Sequence, residues 1–338
     1  MDTVTLPALK AGYRVRPCTL DDVEAIVALM NACAIKVIGV ADETVEQVRA
    51  DWQRPDFDQA ASQQVVLAAD GSIVGWAEVH DAEVVVIFTD VYVHPDYEQE
   101  GTGEYLMAWV EIRAAQTIDA APADARVALR AYCYGLGKDA WYSALLEASG
   151  FQPIRHSWHM DMRLDVPPPK PQQLEGVTIK VYDGQSDKRP IFNVKSTAFQ
   201  DHFGHVERPF EEEYAEWLHR WVGESTFIPE LWFLAMAGDT IAGVCLCKAS
   251  HNGEDDRGWV GSLAVLREYR RRGIGEALLY TAFDAFYNMG KKRVGLGVDA
   301  GSLTGAATLY KRVGMHVAKQ FDLYEKELRS GVDLTTHG

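Results

Sequence analysis

No Cys-x-x-Cys pair occurs among the five cysteines, at 18, 33, 133, 245 and 247. Their number is odd and their spacing scattered, so neither a disulfide framework nor a zinc or redox motif is expected, and the pattern suits a reducing compartment. No run approaches the 18 apolar residues of a membrane span. Residues 1–16 carry no apolar core of a secretory signal, so a cytoplasmic protein is expected. Positive charge is short: 33 Lys and Arg against 49 Asp and Glu leave a net charge of −16. That argues against nucleic acid as the main partner and against an anionic membrane surface, both of which call for a basic face. A G-x-S-x-G elbow is missing, which disfavours serine-nucleophile chemistry. A GK[ST] P-loop and the three-glycine dinucleotide fingerprint are missing as well.

What is present is enough material for two cores. The 338 residues are 47% apolar and 24% charged, as in folded globular chains of two domains. Pro167, Pro168, Pro169 and Pro171 lie in a stretch that can neither pair in a sheet nor continue a helix. The expected division is a first domain over 1–164, a linker over 165–176 and a second domain over 177–338.

The two parts carry the same order of elements. In the first, a strand is expected over 13–16 and a helix over 21–34, opened by a capping-box pair, Thr19 and Asp22. A second helix follows at 44–53. Strands at 64–69 and 73–80 meet at an Asp70-Gly71 turn. A strand at 84–93, a helix opened by Gly101-Thr102-Gly103, a strand at 127–132, a helix at 140–148 and a strand at 155–164 complete the part. The second repeats this: strand 177–181, helices 190–199 and 210–222, a hairpin of 231–237 with 240–247 around Gly238-Asp239, and strand 259–265. A helix opened by Gly273-Ile274-Gly275 then runs to Gly290, with strand 293–298, helix 304–313 and strand 316–327 behind it. Cys245 and Cys247 alternate on one face of their strand. Without a gap, Val93, Tyr97, Gly101, Gly103 and Glu104 align with Val265, Tyr269, Gly273, Gly275 and Glu276. This marks an internal duplication.

Arg270-Arg271-Arg272-Gly273-Ile274-Gly275 follows a strand and begins a helix. Glycines there allow close approach of a ligand, and a helix start offers free N–H groups and a positive dipole end. The unit suits a phosphate or pyrophosphate. The structural alternative is a glycine-started helix with a solvated basic face.

The R-x-x-G-x-G unit after a strand ending in Val, together with Ala306-Ala307-Thr308-Leu309-Tyr310-Lys311-Arg312-Val313-Gly314-Met315, resembles motifs A and B of the GNAT acetyltransferases over about residues 177–328. The resemblance implies an α/β (α+β) fold with a mixed sheet, two tandem GNAT-like domains, and acyl-CoA in an opening between two central strands. It implies that acetyl-CoA, the acyl donor, is held at Leu263, Ala264, Val265, Arg270, Arg271, Arg272, Gly273, Ile274, Gly275 and Glu276. Within that set the N–H groups from Arg271 to Glu276 take the pyrophosphate, and the backbone of Leu263 and Val265 takes the pantetheine arm. It implies that Tyr310 protonates the leaving thiolate; the alternative is a core aromatic on an amphipathic helix. The family often has an Asn early in motif B, where this chain has Ser302 and Leu303.

In the first part the arginine triplet becomes Glu98-Gln99-Glu100, and counting four back from Gly150 reaches Leu146 where Gly314 leads to Tyr310. Both changes mark the first domain as degenerate. On the acceptor side, transfer to an amine needs a group that removes a proton. Asp201, His202 and His205 sit in the loop that the fold sets beside the acetyl group, with Asp255 and Asp256 as alternatives. The two histidines, three apart, also read as a solvated loop; no third ligand supports a metal pair, and no metal is expected. The reading is an acyl-CoA-dependent N-acyltransferase, most simply an N-acetyltransferase, acting on a primary amine of a small molecule by direct transfer in a ternary complex. Its rival is an acyl-CoA-binding module without turnover, against which Tyr310 speaks.

Overall fold

The computed structural model describes residues 4–55, 57–222, 227–302 and 305–337. The first strand, β1 (Arg14–Pro17), leads into a capping box: the Thr19 amide and hydroxyl both donate to Asp22, at 2.8 and 3.0 Å, and a 3₁₀ turn feeds helix α1 (Val23–Ile38). Gly39, at φ 81°, stops α1 in the left-handed conformation. Then come α2 (Val45–Trp52), α3 (Gln59–Ser62), β2 (Gln63–Leu67), β3 (Ile73–His80), β4 (Val86–Val93), α4 (Thr102–Ala115), β5 (Val127–Tyr134), α5 (Ala140–Ala148) and β6 (Gln152–Arg163). The series repeats as β7 (Thr178–Val181), α6 (Arg189–Phe199), α7 (Phe210–Val222), β8 (Trp232–Ala237), β9 (Thr240–Lys248), β10 (Arg257–Val265), α8 (Ile274–Asn288), β11 (Arg293–Asp299), α9 (Ala306–Arg312) and β12 (His316–Arg329). The expected start of the ninth helix at Thr304 lies outside the described residues, as does Leu303.

The compact units do not follow the linear division at the proline stretch. Unit 1 comprises residues 1–156 and 320–335; unit 2 comprises 157–319 and 336–338. The sheet of unit 1 runs β1-β2-β3-β4-β5-β12, and that of unit 2 runs β6-β11-β10-β9-β8-β7. The strand that closes each half of the sequence therefore completes the sheet of the other unit. β12 pairs antiparallel with β5 from Phe321↔Tyr134 onward, and β6 pairs antiparallel with β11, Met160 facing Leu296. Strand alternation shows that a segment pairs but not with whom, so this exchange is invisible in the hydrophobic pattern.

In unit 2 the sheet is covered on both faces. On one, Leu278, Phe283, Phe286 and Tyr310 pack with Cys245, Cys247 and Val294. Cys245 and Cys247 do share a strand face, and all five cysteines are free thiols. On the other, Phe192, Trp217 and Trp221 pack on Trp232 and Leu246. In unit 1, α1 and α2 cover Val65 and Trp76. Among the described residues no helix is long and apolar enough to cross a membrane, and no group of three or more His, Cys, Asp or Glu could hold a metal ion.

Candidate active site

In unit 2, β10 and β11 run parallel but pair only from Arg257↔Arg293 to Val260↔Leu296. Beyond that point they part, while β10 stays paired to β9 as far as Val265↔Gly243. The edge of β10 from Ser262 to Val265 that faces away from β9 thus has no strand partner among the described residues. A β-bulge sits between Val260 and Ser262. An isolated glycine inside a strand is the sequence signal for such a bulge, and Gly261 supplies it. A Cβ at Gly261 would meet the Trp221 ring at 2.4 Å, so only glycine fits there.

The loop after β10 is shaped by two left-handed residues. Arg271 (φ 64°) and Gly273 (φ 79°) flank Arg272, whose φ is negative. Alternation of this kind turns successive N–H groups toward one side and makes a seat for an anion. A left-handed arginine costs about 1–3 kcal/mol, which marks the conformation as one the surroundings impose. Gly273 caps α8, whose first intrahelical bond joins the Ala277 amide to the Gly273 carbonyl at 3.0 Å. The N–H groups before it have no partner within the helix. Ile274 is buried and anchors the turn, and a Cβ on Gly275 would lie 3.3 Å from Leu309 Cδ2. These features fit a pyrophosphate.

The three arginines have different fates. Arg270 turns inward: its Nη1 lies 2.6 Å from an Asp201 carboxylate oxygen, its Nη2 donates to the Ala198 carbonyl and its Nε to the Val265 carbonyl. Arg272 donates to the Glu175 carbonyl at 3.2 Å, and Leu174 packs on Gly273, so the proline-rich stretch braces the seat. The exposed Arg271 side chain has no hydrogen bond or ion pair among the described residues. Glu276 is taken by Arg312 at 2.8 Å.

Asp201 is consequently engaged rather than open to an incoming ammonium, and the Arg270 guanidinium holds its carboxyl below the ordinary range. His202 packs on Phe199, ring centroids 4.2 Å apart, and desolvation lowers its pKa, with Asp201 opposing. The backbone around His205 is bridged to Thr336, from the Gly204 amide at 2.7 Å and to the His205 carbonyl at 3.0 Å. Asp256 accepts from Arg293 at 2.8 Å and its carbonyl takes the Lys292 and Arg293 amides, while the Asp255 carbonyl holds Lys291. Both belong to a turn. Tyr310 is 7% exposed, with a pKa raised well above 10 first by burial and then by Cys245. Its hydroxyl has no hydrogen-bond partner among the described residues. No side-chain hydrogen bond joins Tyr310 to Asp201, His202 or His205 there either.

Unit 1 shows the same opening with different contents. β4 and β5 pair only from Val86↔Ala128 to Phe88↔Arg130. β4 carries no bulge against β3. In its following loop Gly101 is left-handed, but Gln99, which aligns with Arg271, is not. Glu98 pairs with Lys36, and Glu100 with Lys10 and Tyr13. Trp141 lies over the start of α4: its Nε1 donates to the Glu98 carbonyl at 3.3 Å, and its ring would stand 3.0 Å from a Cβ on Gly103. Leu146 is fully buried.

The family model described as Acetyltransferase (GNAT) family matches residues 25–132 and 192–315. A solved GCN5-related N-acetyltransferase from Sphaerobacter thermophilus is 34% identical, with a TM-score of 0.80 over 97% of this chain and 99% of that one. A mycothiol acetyltransferase of Thermobispora bispora is 26% identical over 88% of this chain and 93% of its own length. The N-alpha-acetyltransferase 30 of Schizosaccharomyces pombe is 28% identical over 32% of this chain and 71% of its own. A tandem GNAT protein from the clavulanic acid biosynthesis pathway, 16% identical with a TM-score of 0.70 over 95% of this chain and 100% of that one, shares the fold.

Proposed function

The chain belongs to the GNAT acetyltransferase family, and from that premise we propose that it moves the acetyl group of acetyl-CoA to a primary amine of a small molecule by direct transfer within unit 2. Acetyl-CoA, when bound, supplies an activated thioester. The observation that carries the reading is the convergence in one unit of the left-handed Arg271–Gly273 seat, the bulged and unpartnered edge of β10, and the Tyr310 phenol.

Each part of the chain then has one task. The N–H groups from Arg271 to Glu276 hold the pyrophosphate, with the unpaired Arg271 side chain adding charge. The backbone of Leu263 and Val265 orients the pantetheine arm. The Val265 carbonyl is already given to Arg270, so its contribution comes from the N–H. Tyr310 donates its proton to the departing sulfur, as its raised pKa keeps it protonated. His202 is kept largely neutral by desolvation, so it can accept the proton that the ammonium must lose. In balance, the imidazole takes one proton from the ammonium before attack, one C–N bond forms and one C–S bond breaks, the sulfur takes the phenol proton, and the second nitrogen proton, lost as the amide forms, restores the phenol. Asp201 acts through Arg270 as a positioning residue for the seat.

Thiol release from acetyl-CoA, measured against small primary amines and against peptides with a free N-terminus, tests the reading. Turnover on small amines is expected. Turnover confined to peptide α-amines overturns the substrate class, and no acetyl-CoA-dependent thiol release from any acceptor overturns the reaction.

A further inference from the structure

The acetyl-transfer reading implies an order along the free edge of β10: pyrophosphate at Arg271–Glu276, then the arm at Val265 and Leu263. The next position on that edge is the bulge at Gly261, where β10 parts from β11 after Val260↔Leu296. On that reading the acyl group belongs at the apex of the split. Val260, Leu296 and Met160 pack on the α8 side of the sheet. Trp259, Gly295, Gly297 and His159 alternate with them and therefore point to the other face. Gly261, Gly295 and Gly297 leave bare backbone at the apex, and aromatic rings stand over it.

Each ring is held from behind. A Cβ at Gly261 would stand 2.4 Å from Trp221 Cη2, so the indole from α7 lies directly on the bulge. Trp232 backs that indole edge-on, ring centroids 5.9 Å apart at 75°. The Lys248 ammonium sits 5.5 Å from the Trp221 centroid and donates to the Arg220 carbonyl at 3.4 Å, which pins the end of α7. Trp259 lies across Gly295, whose Cβ would meet that ring at 2.7 Å. His251 stacks on Trp259 at 3.7 Å and 10°, and His159 abuts the same indole at 5.1 Å and 65°. At Gly297, the first residue of β11 beyond the paired segment, a Cβ would already touch His159 Cδ2 at 3.8 Å. Rings packed on other rings at interior density cannot turn aside for extra methylenes without disturbing the core.

We propose that the Trp221 and Trp259 indoles limit the acyl group this chain takes from CoA to two carbons, with Trp221 as the main determinant. The proposal rests on the acetyl-transfer reading and adds to it the chain length of the donor. A single methyl beyond the thioester carbon is accommodated over the glycines. Each further methylene meets an indole that has no free direction in which to move.

Calorimetry on the full chain with CoA, acetyl-CoA and butyryl-CoA tests this without an acceptor, each thioester being read against CoA in the same protein. Wild type should bind butyryl-CoA roughly tenfold or more weaker than acetyl-CoA. Trp221→Leu removes the indole and should bring the two thioesters to within roughly threefold of each other. Trp221→Phe keeps a ring against Trp232, should give an intermediate ratio, and serves if the leucine variant does not fold. The wild-type comparison needs no variant. Equal affinity of wild type for both thioesters, or a butyryl penalty unchanged in a folded Trp221 variant, overturns the size limit and leaves acetyl transfer standing. Binding of none of the three ligands overturns the reading of the seat itself, and the size limit with it.

Discussion

Replacing Tyr310 by Phe removes one oxygen and nothing else. The Tyr310 ring is buried against Cys245 and its neighbours in the α8-side core, and that packing survives in the variant. The hydroxyl has no hydrogen-bond partner among the described residues, so folding stability should change by less than about 1 kcal/mol. The acyl-donor seat is built from backbone groups on another helix, so acetyl-CoA affinity should hold. Loss of a general acid typically costs about 10²–10⁴ in rate. At about 1.36 kcal/mol per tenfold, that is about 2.7–5.4 kcal/mol on the barrier. The expected signature is therefore a large kinetic loss with an unchanged melting temperature. Single-turnover acetyl transfer, which isolates the chemical step from product release, is the measurement. The phenol is pushed well above 10, so ionisation of Tyr310 should add no alkaline limb to the wild-type profile in the working range. A variant that transfers acetyl at the wild-type rate in a single turnover refutes the proton-donor role. A variant whose rate and melting temperature fall together shows a packing residue instead.

Titration with CoA should give one site per chain, abolished by Gly275→Asp, which adds charge at the seat and bulk 3.3 Å from Leu309; two equivalent sites would show that unit 1 also binds. Asp201→Asn should raise the KM for acetyl-CoA several-fold with little change in that for the amine, since Asp201 holds Arg270. Its folded pKa is depressed, so the pair's contribution is present above the unfolded carboxyl value of about 4 and is lost as pH falls through the folded value. Wild type and variant should then converge in acid melts, from a gap at neutral pH of about 1 kcal/mol at most, the pair being about one-third exposed. His202→Ala should lower kcat and flatten an acidic limb lying below pH 6.5, where desolvation sets this imidazole; His205→Ala with the same effect would reassign the relay.

Most of the elements were legible because their signals are local. Helix α7 occupies the expected 210–222, α5 the expected 140–148, and the Thr19–Asp22 capping box forms where its spacing announced it. What stayed hidden depends on partners distant in the chain. The alternation of β6 and β12 announces strands, but their placement in opposite units is set by ladders formed with β11 and β5. Arg270 reads as a phosphate-facing charge until its guanidinium meets Asp201, 69 residues away. Trp141 sits one helix beyond the loop it covers, and nothing in its local sequence reports that contact. Gly261 was the missed signal that could have been read, because a lone glycine in a strand points to a bulge.

The two openings share one duplicated frame but are lined by different side chains. Tyr310 and Tyr142 lie on corresponding helices, and Tyr142 stands four residues before Leu146, the position that aligns with Tyr310. Positions i and i+4 share a helix face, so the phenol of unit 1 still comes from the gap-facing side of its helix. One turn rises about 5.4 Å, so that phenol is carried well past the point from which Tyr310 would reach a departing sulfur. The loss of the donor at Leu146 and the presence of Tyr142 are therefore not equivalent changes that cancel. A shift of one turn moves the hydroxyl away from the place of acyl transfer. Tyr142 is therefore no substitute in unit 1 for a phenol at the position of Tyr310.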